Sequence, residues 1–595
     1  MTESRFTYGT KFFEQLAAQT KDTIEEYKKK SQLYTTKRTI AFILIVISVA
    51  AAYDFGHTWL FSLPVAILAC FFYLIKAHSD LHDDLIYAEN KYQVINNYLA
   101  RYTGQWSKFP DDGSDFTERG FTQDADLNII GPSSIYQYCS VARTHAGRRL
   151  LANRLTPFPV TKEELLCRQA ETQFFISHPT DALHLQALSL QIPLNHRMDK
   201  LLNYLAEREG DYPAFFTKIS IYFPLLSMGL LVLSLFNVVP MQVSLILFSL
   251  QLAAALLLLP KTSTHITPLY RLNKELVYYY QLLKAMQDIL PDTIGHISRN
   301  EIKKALAPIK QLGKLCVLAE MRHNFILLFL LNFLFLWDFH IVNLFTNWQK
   351  KYGTKLTYWL SLWNEAEAAI SLSTIGHTRN DTVMPILIEA TSPKLETKNL
   401  HNMLIPEKDS IANSIDLTPS LNIITGSNMS GKTTWLRTLA SACILTYAGA
   451  PVCATRFAIT PMTVLTSIRV NDDMANGIST FYAELTRIKA MITEAEQNKQ
   501  LFLVIDEIFK GTNSADRIIC AKTALDHLTM RNVITMVSTH DFELCRIEVG
   551  SELPVNNYHF EEHYRDNELV FDYLMKDGPC QTTNAQFLLK MVGIG

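Results

Sequence analysis

The sequence predicts a multidomain chain: an α-helical region carrying two transmembrane helical hairpins, followed by an α/β domain with a phosphate-binding loop. Three observations carry this. Apolar runs occur in pairs in the first half, at or near the roughly 20 residues a spanning helix needs. Helical i, i+3, i+4 spacing marks the segments between and after them, as in DDLIYAENKYQVINNYLARY and RLNKELVYYYQLLKAMQDIL. From about residue 380 short β-rich runs such as LNIITG, LFLVID and VITMVST alternate with helices, which is the pattern of a mostly parallel sheet.

Length and composition agree with this division. At 595 residues the chain exceeds a single core, since cores rarely grow beyond roughly 250–300 residues. Apolar residues make up 48% and charged residues 19%, where soluble domains carry about 25% charged. Lys and Arg number 55 against 57 Asp and Glu, so the basic excess of a dedicated nucleic-acid binder is missing, although a local basic face is still compatible. The nine cysteines are scattered without C-x-x-C pairs or metal spacing to histidine, and read as reduced thiols rather than a zinc site or disulfide framework. The opening MTESRFTYGTKFFEQ has no apolar h-region, so it does not read as a cleaved signal peptide, and the N-terminus is expected in the cytosol.

The first hairpin is IAFILIVISVAAAY (40–53) and WLFSLPVAILACFFYLI (59–75), joined by DFGHT. The second is ISIYFPLLSMGLLVLSLFNVV (219–239) and MQVSLILFSLQLAAALLLL (241–259), joined at Pro240. Buried helices of a soluble core would interleave polar positions, and these runs do not. The first run is short and needs its flanks or a thinned bilayer. Lys28, Lys29, Lys30, Lys37 and Arg38 precede the first hairpin, while Lys218, Lys261 and Arg271 flank the second. The positive-inside rule then keeps all these ends cytosolic with two short turns outside. A fifth run, FILLFLLNFLFLW (325–337), would carry everything after it across the membrane if it spanned alone, so it reads as a buried or membrane-grazing helix.

The chemistry is concentrated in the α/β domain. Gly426, Gly431, Lys432 and Thr433 satisfy G-x-x-x-x-G-K-[ST] between the strand LNIIT and the helix TTWLRTLASACIL. Glycines let backbone N–H groups approach phosphates, and the helix N-terminus adds its positive end. The cradle therefore comprises Gly426, Ser427, Asn428, Met429, Ser430, Gly431, Lys432, Thr433 and Thr434 around ATP. Lys432 suits the β- and γ-phosphates, and Thr433 suits Mg²⁺. LFLVIDE ends a strand in two carboxylates: Asp506 is the expected Mg²⁺ partner, and Glu507 the group that polarises water. His540, at the end of the next strand in VSTHD, is the expected γ-phosphate sensor, a role drawn from its order and spacing.

GSNMSGKTTWLR, IRVNDDMANGISTFYAEL, LVIDEIFKGTNSAD and STHDFEL, in that order, resemble the ATPase domain of the MutS family of the ABC superclass. Residues 126–171 are similar to the start of the MutS core domain, with its T-x-x-G-x-x-x-L and R-Q signatures. The resemblance implies a P-loop, ABC-type ATPase whose sites are completed in a homodimer, with Ser479 of GISTF contacting the γ-phosphate of the neighbouring subunit. It also implies that Thr512, Asn513 and Asp516 lie on a loop coupling two sites. Ser427 replaces the family's usual Pro, and Phe509 and Lys510 stand where Gly and Arg are usual.

Phe12-Phe13-Glu14 has the letters of the family's mismatch-reading Phe-x-Glu, but the first hairpin begins about 25 residues later, so we read it as one face of an amphipathic helix. The second hairpin interrupts the core where the resemblance places the DNA clamp, and the family's usual C-terminal dimerisation piece is not evident after FLLKMVGIG. The expected organisation is an N-terminal helix (1–38), hairpin 1 (39–76), a helical linker (77–124), a first MutS-like core segment (125–213), hairpin 2 (214–260), lever and core helices (261–380) and the ATPase domain (381–595). The chain then reads as a multi-pass protein of the cell (inner) membrane with its ATPase domain in the cytoplasm. It is expected to act as a membrane-anchored, MutS-like ATPase clamp or switch, with membrane lipid and family-implied double-stranded DNA as partners. A nucleotide-gated scaffold binding a protein partner without DNA is the alternative. An ABC transporter fits poorly, because GISTFYAEL stands where L-S-G-G-Q would be needed.

Overall fold

The computed structural model describes residues 9–55, 62–193, 197–207, 214–270, 272–427, 429–469, 480–497, 499–509, 514–550, 552–565 and 568–580. The chain divides into two compact units, one of Met1–Ala142, Arg148–Leu183 and Glu367–Gly595, the other of Arg143–Gly147 and His184–Ala366.

The first unit opens with two long helices, α1 (Gly9–Phe55) and α2 (Ser62–Tyr102). Neither is interrupted near residue 38, where composition turns from polar to apolar, or near residue 76, where it turns back. Within α2 the only Pro is Pro64, in the first turn, where a missing N–H breaks no helical bond. Contacts pair descending with ascending numbers, Phe13 on Tyr98, Lys28 with Glu89, Ser31 and Arg38 with His78, and Phe42 with Phe71, so the pair is antiparallel. Toward the turn, Phe42, Ile43, Ile47, Leu63, Val65 and Phe72 are all exposed. Apolar side chains directed outward from both helices suit hydrocarbon rather than water. At the other end Phe13 is fully buried and stacks on Tyr98 at 4.9 Å, while Phe12 is half-buried and Glu14 exposed, so the stretch presents one packed face of an amphipathic helix.

The foot of this hairpin is tied to the rest of the unit by polar bonds. Tyr102 donates its hydroxyl to the carbonyl of His377 (2.6 Å), and Tyr138 shares a 2.7 Å bond with Thr378. His377 directs Nε2–H at the carbonyls of Phe175 (3.0 Å) and Ile176 (3.2 Å). A second tie is Asp126, whose buried carboxylate accepts from the Thr466 hydroxyl (2.6 Å) and the backbone N–H groups of Ile468 (3.2 Å) and Arg469 (2.9 Å).

The second unit holds α3 (Ala214–Leu235), α4 (Met241–Leu257), α5 (Asn273–Ile289), α6 (Arg299–Glu320), α7 (Phe325–Phe335) and most of α8 (Trp337–Thr378). The run 325–337 forms an 11-residue helix bent by 109° from the segment before it, and it packs on α3 and α4. It is not a core helix: Phe325, Ile326 and Leu330 are exposed, and Asn332 is its buried residue. Small polar residues line the contact of α3 with α4, where Ser234 and Ser244 share a 2.7 Å bond and Ser227 donates to Gln251 (3.2 Å). The Gln251 amide in turn donates to the carbonyl of Phe333 (2.9 Å), one of the last-turn carbonyls that α7 cannot satisfy itself. By length and composition α1, α2 and Lys218–Leu235 can cross a membrane, and up to five spans result if each of two bent helix pairs is one.

The C-terminal region of the first unit is an α/β domain. Its mixed sheet contains β1 (Ser420–Thr425), β2 (Thr463–Ser467), β3 (Leu501–Asp506), β4 (Val533–Ser538), β5 (Val555–Arg565) and β6 (Glu568–Asp577) in the order β2-β3-β4-β1-β5-β6. The first five run parallel and β6 closes the edge antiparallel to β5. Strand β3 shows why its run is continuously apolar. Phe502 and Val504 enter the core containing α9 (Lys432–Ala448), while Leu501, Leu503 and Ile505 enter the core with α10 (Thr480–Glu496) and α11 (Ser514–His527). A strand covered on both faces has no solvent side to make polar.

Burial pushes the His377 imidazole down to about 4, against the support of the Phe175 and Ile176 carbonyls. The unfolded chain takes up this proton near pH 6.5, so the stability held above that value is lost progressively as pH falls toward 4, by roughly 3 kcal/mol. His377→Gln, which keeps a donor but not the titration, is expected to flatten this portion of the pH dependence of Tm in detergent.

Candidate functional site

Parallel strands deliver their carboxyl ends to one edge of the sheet, and the cradle residues meet there. Strand β1 ends at Thr425, just before Gly426, and α9 begins at Lys432 after left-handed Gly431 (φ +108°). The loop between them is tight. A Cβ on Gly426 would lie 2.7 Å from the Phe560 carbonyl oxygen and 2.8 Å from Ser430 Oγ. Lys432 is largely buried, and its Nζ donates to the carbonyls of Gly426 and Ser427, each at 2.9 Å. Burial lowers the Lys432 pKa, opposed by the carboxylates of Glu507, Asp506 and Glu562.

The acidic strand end meets this loop. Thr433 donates its hydroxyl to Asp506 Oδ2 at 2.8 Å, and Ser538 donates to Asp506 Oδ1. The next residue, Glu507, has φ +54° and is held by its N–H to the Ser538 carbonyl (3.1 Å). Its Oε1 lies 2.7 Å from His540 Nε2, which is 3.4 Å from Lys432 Nζ. A ring nitrogen that donates to Glu507 cannot also accept from Lys432, so the longer approach is proximity rather than a second bond.

Lys432, Thr433, Asp506, Glu507 and His540 are therefore brought together. Ser427 donates to Glu562 on β5, and Met429 is exposed with φ +71°. Thr434 lines the adjoining cavity, and Asp516 lies exposed in the first turn of α11. Asn428, Ser479, Lys510, Thr512 and Asn513 lie outside the described residues. Phe509 has φ +60°, the backbone region that favours the glycine usual there in the resemblance. Its ring is buried and lies edge-on to Phe481 at 5.7 Å.

Beside the loop is a cavity of about 820 Å³ whose far wall includes His401, Asn402, Asp409, Asn413 and Tyr573. Sequence reasoning missed this wall. Asn402 donates to Thr438 on α9 (3.0 Å), and Asn413 donates to the Tyr573 carbonyl (3.0 Å) while accepting from Met575 N–H (2.7 Å). No spacing signal links residue 402 to the cradle helix, or residue 413 to a strand some 160 positions on. Ser538 and Glu562 were also missed; Ser538, two residues before His540, stands within the VSTHD motif itself.

The residues fit a magnesium nucleotide on two grounds. The buried Ser430 Oγ has no hydrogen-bond partner among the described residues, and Gly426 and Gly431 leave the backbone uncovered where side chains would crowd it. The Thr433 hydroxyl and Asp506 carboxylate form an oxygen-only donor pair, which suits a hard cation.

Strand, glycine loop, helix and acidic strand end, gathered at one edge of a mixed sheet, define a two-sided α/β domain with a polar site on its carboxyl edge. Residues 422–593 of that domain match the family model of MutS domain V, so this part of the chain is similar to that domain. It is similar to the DNA mismatch repair protein MutS 2 of Haloarcula marismortui, with 31% identity over 182 residues, 30% of this chain and 19% of the relative. It is also similar to the DNA mismatch repair protein MutS of Natronomonas pharaonis, with 32% identity over 193 residues, 32% of this chain and 22% of the relative. The chain thus aligns with about a fifth of the length of these curated relatives.

Gly426→Ala places its Cβ against Phe560 and Ser430, and forcing the loop aside costs roughly 1–3 kcal/mol. Nucleotide binding is expected to weaken about 10- to 100-fold, read by titration with a fluorescent ATP analogue.

Proposed function

We propose that the chain is a membrane-anchored, MutS-like ATPase in which ATP binding and hydrolysis, at sites completed by a second copy, drive a clamp or switch motion. The carrying observation is the cluster of Lys432, Thr433, Asp506, Glu507 and His540 beside a nucleotide-sized cavity. Lys432, holding two loop carbonyls, is placed to exchange them for phosphate oxygens. Asp506 and Thr433 would hold Mg²⁺, which supplies charge neutralisation at the phosphates when bound. Glu507 orients water and takes up its proton, and His540 holds the Glu507 carboxylate in place from the side. Ser479 of a second copy is proposed to complete the site, and Thr512, Asn513 and Asp516 to couple the two.

The apolar outer surfaces of α1, α2 and α3 support membrane anchoring with lipid as a partner, and the α/β domain is proposed to lie in the cytoplasm. The names of the relatives support duplex DNA as a partner. The near-neutral charge, -2 overall, favours instead the second reading, a nucleotide-gated scaffold for a protein partner.

Lys432→Ala is expected to abolish ATP binding, whereas Glu507→Gln should bind ATP, slow turnover by about 10²-fold or more and accumulate an ATP-bound dimer visible by light scattering. Wild-type turnover by Glu507→Gln would remove Glu507 from its role. Titration of the detergent-solubilised protein with duplex DNA, with and without ATP at several salt concentrations, separates the two partner readings. Submicromolar, salt-dependent affinity favours DNA, and its absence favours the scaffold.

A further inference from the structure

A second cavity, of about 540 Å³, lies in the same unit as the nucleotide cavity. Its walls are the end of α2 with Arg101, the end of α8 with Arg379, and the loop 404–409. Both arginines are nine-tenths or more buried, with relative exposures of 3% and 6%. Arg101 donates to the carbonyls of Tyr138 (2.6 Å), Asn97 (3.0 Å) and Ser140 (3.2 Å). Arg379 donates to the Met403 carbonyl and stacks over Tyr138 at 5.2 Å, but its Nε–H has no acceptor among the described residues.

Among the described residues no carboxylate forms an ion pair with either guanidinium. Burial lowers the pKa of Arg101, yet a guanidinium does not give up its proton in a protein. A buried charge is costly unless paired, and carbonyl dipoles, even with the Tyr98 and Phe109 rings facing Arg101 at 5.5 and 4.9 Å, compensate it incompletely. Two carboxylates do border the cavity. Glu407 is exposed and tied to Asn380 by its N–H and side-chain amide, both at 2.6 Å, and Asp409 is exposed beside Lys408. Two buried cations facing a common space thus lack a counter-ion from the described chain.

The same loop borders the nucleotide cavity. Asp409 lines both spaces, and Asn402, next to the Met403 that Arg379 holds, donates to Thr438 on the cradle helix. We propose that the second cavity is a regulatory site for a small soluble anion of the phosphate class, held between Arg101 and Arg379, whose binding shifts the loop 401–413 and so the affinity of the nucleotide cavity. Planar guanidiniums favour phosphate geometry. Arg101 is 25 helical residues beyond position 76, about 37 Å along α2, too far for a bilayer headgroup to supply the anion. The regulatory half rests on the nucleotide reading above, while the binding half does not.

The test uses the full chain in detergent, with inorganic phosphate as probe and chloride at equal ionic strength as reference. In Lys432→Ala, whose cradle is silenced, phosphate is expected to bind saturably by calorimetry and raise Tm. Adding Arg379→Gln should weaken that binding at least tenfold. Thr103→Trp, at an exposed wall position, should do the same by filling the space, and it decides the matter if Arg379→Gln does not fold. In the otherwise unaltered chain phosphate should change the ATP Kd at least threefold, and this change should vanish in Arg379→Gln and Thr103→Trp. Absence of saturable phosphate binding to Lys432→Ala, or full binding by folded Arg379→Gln and Thr103→Trp, overturns the site. Phosphate binding with an ATP Kd that responds identically in all three chains overturns the regulation. Failure of the unaltered chain to bind ATP overturns the nucleotide reading alone.

Discussion

The carboxyl edge of the α/β sheet is organised by one carboxylate. Asp506 accepts from Thr433 with one oxygen and from Ser538 with the other, so the first turn of α9 and the ends of β3 and β4 are fixed to a single group. Ser538 also receives the backbone N–H of Glu507, which sets the left-handed residue that follows. Neutralising Asp506 would weaken both hydroxyl bonds at once, because bonds to a charged acceptor are roughly twice as strong as neutral ones. The geometry of Glu507 and His540 is thus inherited from a group one position earlier.

A similar economy holds in the second unit, where polar groups sit inside apolar helices. Gln251 links Ser227 of α3 to the last-turn carbonyl of Phe333 in α7. In water such a carbonyl could bind solvent. Kept from water it needs a protein donor, and Gln251 is that donor. Arg322 and Asp338, both buried and 3.2 Å apart, close the turn in which α7 is set.

What could be read in the sequence was what depends on local spacing. The loop 426–434, the strand ending in Asp506 and Glu507, and the uninterrupted apolar runs each declare themselves within a few turns of chain. Their structural neighbours do not. Asn402 and Asn413 carry no motif; Asn402 meets Thr438 on α9, and the Asn413 bond to Tyr573 exists because β5 and β6 fold back beside β1. The second cavity is invisible in the sequence for the same reason, since Arg101 and Arg379 are separated by 278 positions and become neighbours through Tyr138. In the sequence Phe509 is only an unusual letter. Its φ of +60° shows that the position asks for left-handed backbone, while the ring is retained by packing against Phe481.

Helix α2 runs without a break for 41 residues, about 60 Å at 1.5 Å per residue. A helix of that length bends little, so displacement grows with distance from the pivot. Tilting it by about 5° at the Arg101 end would move the Ser62 end by about 5 Å, near one helical pitch. Changes too small to notice at the Arg101 end would therefore become, at the far end of the rod, the size of a helix-packing register.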